Sequence, residues 1–429
     1  MSEAVEQSDL REGYEKIQFG PKTLIVPADW STERFGDVFN RRRESISADE
    51  DETIRYVGLK HLNSGQIDIA GYDESGSERS SSRAFREGDV LFGKLRPNLN
   101  KAAIAPFSGI CSSDIIPIYA EDEILQRYLP YLMHSRPVRD RAVSTMEGTN
   151  LPRTSWGDIA KTLIPLPPKT EQFRIADILS TVDEEIRQTD EIIGKTEELK
   201  RGLMQDLFKQ GVNNHESAEV RLGAKVRKIP QHWDVARLSE LSDIKRGASP
   251  RPIGDEKYFG GEIGWIRISD ITQTDSKYVT EPSDYLSELG VSESVLIEAE
   301  TLVLSISATI GKPAILQTEG CIHDGIVALR NLREDVDIEY LYYALQDLRP
   351  RIQAQNQRAA GHQTNVNSKV VRQSEIPLPP LREQKKIAEI LGRTDEKLEA
   401  EKEQSKKLQN LKRGLIQDLL TGKVRVNTD

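Results

Sequence analysis

The sequence predicts an α+β chain built from one plan used twice: two related domains of short strands, each followed by a long amphipathic helix, with the two helices paired. Three observations carry this. Ile164-Pro165-Leu166-Pro167-Pro168, Glu171-Gln172, Ile175-Ala176 and Ile178-Leu179 recur as Ile376-Pro377-Leu378-Pro379-Pro380, Glu383-Gln384, Ile387-Ala388 and Ile390-Leu391. The match continues through Lys200-Arg201-Gly202-Leu203 and Gln205-Asp206-Leu207, repeated as Lys412-Arg413-Gly414-Leu415 and Gln417-Asp418-Leu419, at a constant offset of 212 residues (376 minus 164, 418 minus 206). An ungapped internal repeat of this length makes the chain two copies of one architecture. The segments before each helix are rich in β-branched and aromatic residues broken by Gly, Pro, Ser and Asp, which reads as short strands and loops. The resulting division is an extension at 1–19, a domain at 20–168, a helix at 169–213, a domain at 214–380, a helix at 381–422 and a tail at 423–429.

Each domain opens on a Pro-x-x-Trp segment, Pro27 to Trp30 and Pro230 to Trp233. Tyr56-Val57-Gly58-Leu59-Lys60-His61-Leu62 resembles Trp265-Ile266-Arg267-Ile268-Ser269-Asp270-Ile271. The run Asp89 to Arg96 aligns on Glu300 to Ser307, and Lys101-Ala102-Ala103-Ile104 on Lys312-Pro313-Ala314-Ile315. Tyr128-Leu129-Pro130-Tyr131-Leu132 and Tyr340-Leu341-Tyr342-Tyr343-Ala344-Leu345 each open a helical stretch. The framework is shared while the polar residues on it differ: Lys94, Arg96 and Asn98 stand against Ser305, Ser307 and Thr309.

The repeated element is a helix with a sharp start. Pro167-Pro168 and Pro379-Pro380 hold the preceding chain extended, because the ring fixes φ and disfavours helix just before it. Thr170 is placed to cap, and Glu171 faces the positive end of the helix dipole. Ile175, Leu179, Val182, Ile186, Thr189, Ile193 and Thr196 alternate spacings of four and three, a heptad seam. Leu199, Leu203 and Leu207 continue it after a change of phase. Ile387, Leu391, Thr394, Leu398, Leu408, Leu411, Leu415 and Leu419 form the second seam. Gly211 and Gly422 end the helices, each about 40 residues or roughly 60 Å long. One apolar stripe on each of two matched helices predicts that they pair with each other. Gly202 and Gly414 cost about 1 kcal/mol each against Ala in a helix interior, to be explained by close helix approach or by a solvated turn. Lys200-Arg201 and Lys412-Arg413 fit the negative end of the dipole as well as they fit a ligand.

Composition bounds the class. The chain has 429 residues, 37% hydrophobic, with mean hydropathy −0.54. That is enough for two or three ordinary domains. No run reaches the roughly 18 to 20 apolar residues of a membrane span, and Met1 to Glu6 lacks the basic-then-apolar order of a signal peptide, so a cytoplasmic protein with no membrane partner is expected. Cys111 and Cys321 fall one in each half and read as buried free thiols. The 59 basic and 69 acidic residues sum to −10. A protein living on phosphate contacts alone would be basic, so any nucleic-acid reading needs local basic clusters.

Enzyme signatures fail. Gly88 to Lys94 spaces its glycines and lysine like a phosphate loop, but Leu95 stands where Ser or Thr is required and Pro97 opposes the following helix. Gly194-Lys195-Thr196 has Thr189 where a glycine is needed. The six histidines show no metal-site spacing. Neither a methyltransferase tetrapeptide nor a nuclease carboxylate cluster is evident. No catalytic residue, no metal and no cofactor bound by this chain are expected.

Two variable domains of about 150 residues, each followed by an I-P-L-P-P-x2-E-Q-x2-I-A-x2-L helix, resemble the specificity subunit of type I restriction-modification systems, from about Lys22 to Val424. The resemblance implies a non-catalytic subunit whose two target recognition domains each read half of a split, asymmetric site in double-stranded DNA. It also implies an antiparallel coiled coil that spaces them, docking of two methylation subunits, and restriction subunits that join. Two-fold symmetry requires the same antiparallel direction if the related halves pair helix to helix. Dimeric DNA readers place equivalent surfaces roughly 34 Å apart, a span that helices of this length can bridge. A coiled-coil scaffold binding only proteins is the alternative, supported by the acidic balance.

Arg and Lys pair with guanine or phosphate, and Asn and Gln with adenine, so loop residues of these types are the candidate DNA contacts. In the first domain they are Arg41, Arg42, Arg43, Lys60, His61, Lys94, Arg96, Asn98, Asn100, Lys101, Thr149 and Asn150. In the second they are Lys245, Arg246, Arg267, Ser269, Ser305, Ser307, Thr309, Lys312, His362, Gln363 and Asn365. For any one of them a solvated surface role competes, and Asp49 to Glu52 can neutralise part of the Arg41 to Arg43 run.

Overall fold

A computed structural model describes residues 12–19, 22–46, 54–75, 82–213, 215–223, 225–274, 276–360 and 365–427. The chain forms two compact units, 1–188 with 405–429, and 189–404. Each unit takes one domain, the half-helix that follows or precedes it, and a half of the other long helix.

In the first unit, short, largely apolar strands build an antiparallel four-stranded sheet in the order Ala102–Ile104, Val90–Gly93, Ile115–Tyr119, Asn40–Arg41, with the two central strands buried. A five-stranded sheet follows the order Ser45–Ile46, Ser82–Phe85, Gly109–Cys111, Ile54–Val57, Asp73–Ser75, with Gly109–Cys111 parallel to Ile54–Val57. The second unit keeps the same strand order in both sheets, but Tyr278–Val279 is added at the edge of the first and the second has four strands. One sheet runs Asp243–Arg246, Ile326–Arg330, Thr301–Ser305, Pro313–Leu316, Tyr278–Val279, and the other runs Asp284–Leu286, Phe259–Ile266, Gly320–Ile322, Leu296–Ile297. Here Phe259–Ile266 is parallel to Gly320–Ile322. Hairpins Tyr14–Phe19/Lys22–Pro27 and Ser217–Leu222/Lys225–Pro230 open the two halves. The expected boundary between residues 19 and 20 therefore falls inside a hairpin, which neither hydropathy nor the repeat revealed.

The repeated motif has a structural reading in both units. Leu163–Leu166 pairs with Ser31–Arg34, and Glu375–Leu378 with Asp234–Arg237, so each Ile-Pro-Leu segment is a strand locked to the residues after the Pro-x-x-Trp opening. Gln172 Nε2 donates to the Pro167 carbonyl at 2.7 Å and Gln384 Nε2 to that of Pro379 at 2.8 Å, holding the turn into the helix. The Trp30 indole donates to Glu171 at 2.9 Å, and the Trp233 indole to Glu383 at 3.0 Å.

The long helices span Lys169–Gln210 and Leu381–Leu419, ending just before Gly211 and Gly422, whose φ of +70° and +68° leave the helical region. They pair antiparallel, as each unit shows separately. In the first unit Ile175 and Leu179 share a core with Ile416, Leu419 and Leu420, and Asp183 binds Lys412. In the second, Leu207 and Phe208 share a core with Ile387, Ala388 and Leu391. There Glu197 meets Lys402 at 3.2 Å, and Lys200 meets Asp395 at 2.6 Å. Each helix start also packs on its own domain, through Trp30, Phe35 and Tyr128 in the first unit and Trp233, Leu238 and Tyr340 in the second.

The expected seam holds at Ile175, Leu179, Leu207, Ile387, Leu391 and Leu419, which are buried, and in part at Val182, Ile186, Ile193, Leu203, Leu398, Leu408 and Leu415. It fails at Leu199 and Leu411, which are 56% and 51% exposed. A straight helix drifts from a 3.5-residue seam: the expected Thr189 and Thr196 are buried, and beside Leu411 it is Lys412 that is buried. A methyl group at Gly202 or Gly414 would meet no neighbour within 4 Å, so they are solvated turns and not close approaches. Lys200 and Lys412 are held by carboxylates of the opposite helix, a role that the dipole argument did not supply.

Candidate nucleic-acid interface

The two halves carry a common pattern that the expectation did not single out, Cys111-Ser112-Ser113-Asp114 and Cys321-Ile322-His323-Asp324. Both cysteines are buried in strands, Cys111 ending Gly109–Cys111 and Cys321 in the middle of Gly320–Ile322. Each aspartate follows in a turn beside the next sheet strand, Ile115–Tyr119 or Ile326–Arg330, where it gathers cations.

In the first unit Asp114 takes Arg153 in a fork of 2.7 and 3.0 Å, and Arg153 holds its carboxyl below the usual value. Lys94 ends the strand Val90–Gly93, and its amide N–H donates to the Asp114 carbonyl at 2.9 Å. Burial, with Arg83, Arg153 and Arg41 nearby and Asp114 opposing, holds the Lys94 ammonium below its ordinary pKa. Burial, Arg43 and Arg83 do the same to Arg41, whose Nε is buried without a hydrogen-bond partner. Crowding cations this way is unfavourable until an anion arrives. The loop carrying Thr149 and Asn150, both exposed, reaches the same place: Leu95 and Glu147 bridge to Arg153, and the Arg96 N–H donates to the Pro152 carbonyl at 2.7 Å. Arg96 and Asn100 adopt φ of +49°, which for non-glycine residues is strained and concentrates at functional loops. Asn98 is exposed on the turn between them. Structure therefore brings together Arg41, Arg43, Lys94, Arg96, Asn98, Asn100, Thr149 and Asn150, and adds Arg83, Asp114 and Arg153.

In the second unit Arg251 donates to Asp324 at 2.6 Å, Ser249 at 3.2 Å, and Arg246 Nε to the Asp324 carbonyl at 2.8 Å. His323 sits beside them. Burial lowers its pKa, Asp324 opposes, and Arg251, Arg267 and Arg246 add to the lowering. A recess here is lined by Ile253, Trp265, Arg267, Ile268, Ser269 and His323. Arg267 stacks over Trp265 at 4.6 Å and meets Asp284 at 2.5 Å. The buried Trp265 N–H and Arg267 Nε have no hydrogen-bond partner, each leaving about 1–3 kcal/mol of desolvation unrecovered. Lys245 is exposed on Asp243–Arg246, and Ser307 bridges to exposed Asn365. His362 and Gln363 lie outside the described residues.

Several of the expected contacts have partners within the fold. Ser305 is fully buried, its hydroxyl donating to the Thr309 and Lys312 carbonyls and accepting from the Lys312 N–H. It shapes the loop, and Thr309 enters that bond through its carbonyl. Lys101 Nζ donates to the Leu59 carbonyl at 2.8 Å, and Lys312 Nζ to those of Thr272 and Thr274 at 3.1 Å, so both lysines tie one sheet's loop to the other's. His61 accepts the Gly58 N–H at 3.0 Å, as Asp270 accepts that of Arg267 at 2.7 Å; both close the same turn. Arg42 is clamped by Asp89 and stacked on Tyr119 at 3.8 Å. Lys60 stays on the surface but is paired with Asp73 at 2.9 Å. The phosphate-loop-like run is a turn at Gly88, φ +85°, and a strand, followed by a single 3-10 turn at Pro97–Leu99 where a phosphate loop would need an α-helix. Among the described helices none is long and apolar enough to cross a membrane.

The sequence model of the type I restriction modification DNA specificity domain matches residues 27–198 and again 230–410. The chain is 26% identical over 426 residues to the type I restriction enzyme MjaVIII specificity subunit of Methanocaldococcus jannaschii, covering 94% of this chain and 95% of that one. It is 25% identical over 435 residues to a protein of the same organism assigned provisionally as the MjaX specificity subunit, covering 97% and 98%. The crystal structure of a type I restriction-modification S subunit from M. genitalium shares the fold with a TM-score of 0.58, at 14% identity over 94% of this chain and 98% of that one. With two matched copies of the domain spanning most of its length, the chain belongs to the type I restriction-modification DNA specificity family.

Proposed function

We propose that the chain is the specificity subunit of a type I restriction-modification complex. Its two recognition domains, 20–168 and 214–380, read separate halves of an asymmetric site in double-stranded DNA. It carries no catalytic group of its own and docks two methylation subunits, with restriction subunits completing the assembly. The observation that carries this reading is the pair of cation clusters at matching places on one scaffold, built around Asp114 and Asp324 but from different side chains. Such clusters answer the objection raised by the net charge of −10, because phosphate attraction is local within a Debye length of roughly 8 Å at physiological salt. The exposure of Leu199 and Leu411 at one repeat position supports two like docking faces for two like subunits.

The test uses the chain assembled with its methylation subunits and a duplex carrying the site found by methylome sequencing of the host. Affinity is expected to fall as salt rises, with log K linear in log salt. Exchange of residues 20–168 for the matching domain of a relative is expected to change one half-site only. Indifference to DNA at low salt returns the chain to a protein scaffold, and a change in both half-sites rejects independent reading.

A further inference from the structure

The carboxylate that opens each long helix is treated differently in the two units. In the first, Glu171 and Asp29 share one permanent cation. Arg425 donates to Glu171 at 2.8 and 2.9 Å and to Asp29 at 2.8 Å twice, and Trp30 completes the Glu171 shell. In the second, the repeat partner Glu383 keeps its tryptophan, and its other side-chain hydrogen-bond partner is a histidine. His232 replaces Asp29 in the Pro-x-x-Trp opening, and His215 comes from the segment after the first helix. His232 Nε2 lies 2.8 Å from Glu383, the two imidazoles meet edge to face at 4.4 Å, and the three ligand atoms lie within 4.8 Å of one another.

We propose that His215, His232 and Glu383 bind a transition-metal dication of the zinc class, which supplies in the second unit the positive charge that Arg425 supplies in the first. Two imidazoles and a carboxylate are a donor set that suits zinc and not magnesium or calcium. At metal–ligand distances of about 2.0–2.2 Å the donors must draw together. The imidazoles are free to do so, since both histidines are exposed, while the carboxylate is already held. Glu383 Oε2 receives the Trp233 N–H at 3.0 Å and Oε1 the Val212 N–H at 3.1 Å. Such hydrogen bonds to a liganding carboxylate are the outer shell that orients a metal ligand. Gly211 preserves the space: a Cβ there would stand 2.5 Å from Glu383 Oε1 and 3.4 Å from His215, on a φ of +70°. A bound ion ties the end of the first helix, the turn after the Ser217–Leu222/Lys225–Pro230 hairpin and the start of the second helix together. It has no part in DNA chemistry and is independent of the proposed DNA-reading function.

The test is made on the full chain assembled with methylation subunits and stripped with chelator. Titration with Zn2+, and with Co2+ followed by visible absorption, is expected to show one equivalent per chain that is lost or weakened at least ten-fold in H215A, in H232A and in the milder H215Q. Zn2+ is expected to raise the thermal midpoint of the wild type and not of the double variant. Metal carried by other subunits is common to all samples and cancels in the difference. Equal binding by wild type and double variant, or no binding by either, overturns the proposal and leaves a His–Glu hydrogen bond only.

Discussion

The two units share the buried joints that mount a long helix and differ in the polar groups around Asp114 and Asp324 and in the partner of the first-turn glutamate. Asp183, Lys412 and Tyr131 in one unit correspond, at the repeat offset, to Asp395, Lys200 and Tyr343 in the other. In both, a lysine from one helix meets an aspartate of its partner helix beside a tyrosine of the domain. The Trp–Glu and Gln–carbonyl bonds are likewise duplicated. By contrast, Asp114 holds one arginine where Asp324 holds an arginine and a serine, and Glu171 holds Arg425 where Glu383 holds His232. A duplicated scaffold keeps its internal joints because each joint is buried and cannot change alone; surfaces meeting different half-sites are free to diverge.

The largest effect should come from breaking one joint. D183A leaves Lys412, 7% exposed, as an uncompensated buried charge, and about 3–5 kcal/mol of stability should be lost. D395A strands Lys200, 18% exposed, and should cost less. Denaturation midpoints of the two variants measure the difference; equal losses would mean that burial does not set it.

Next comes the reading surface. R267A should weaken binding by about 1–3 kcal/mol and relax one half-site if it contacts a base, whereas K94A should weaken all sequences evenly and lower the salt slope by about one unit. Binding to duplexes altered in one half-site at a time separates the two, and a half-site effect of both variants on the same half would collapse the comparison.

At the helix starts, E171Q removes the charge that Arg425 grips and should cost about 1.5–3 kcal/mol, the range for hydrogen bonds to charged groups. E383Q should cost less, because the amide oxygen still accepts from His232 and Trp233 and only the Val212 N–H loses its acceptor. Burial alone would raise the Glu383 carboxyl, but bonds from His232, the Val212 N–H and Trp233 hold it below the ordinary value. Its stabilisation is thus present above the unfolded carboxyl pKa and is lost as pH falls through the lower folded value. Urea midpoints between pH 3 and 6 should show this loss in the wild type and not in E383Q.

The smallest change should be a gain. G202A and G414A fill open space on helix interiors and should each add about 0.5–1 kcal/mol. A variant that gains stability but loses a methylation subunit in gel filtration would mark that turn as covered in the complex.

By itself, the sequence determined the duplication, the start and end of both long helices and the burial of Ile175, Leu179, Ile387 and Leu391. All of these depend on neighbours a few positions apart, where proline, glycine and heptad spacing act directly. It could not separate a reader from a brace, because the same residue type serves both. Lys94 stays in a cation cluster while Lys101, seven positions on, spends its ammonium on the Leu59 carbonyl; Ser305 vanishes into its own loop while Ser269 lines a recess. Arg83 and Arg153 escaped notice for the same reason, although the Cys-x-x-Asp pattern in both halves was a signal that pointed to them. Which polar groups converge is decided by contacts between segments some 40 to 75 positions apart, such as Asp114 with Arg153 and Ser249 with Asp324, and only tertiary packing sets burial and partners there.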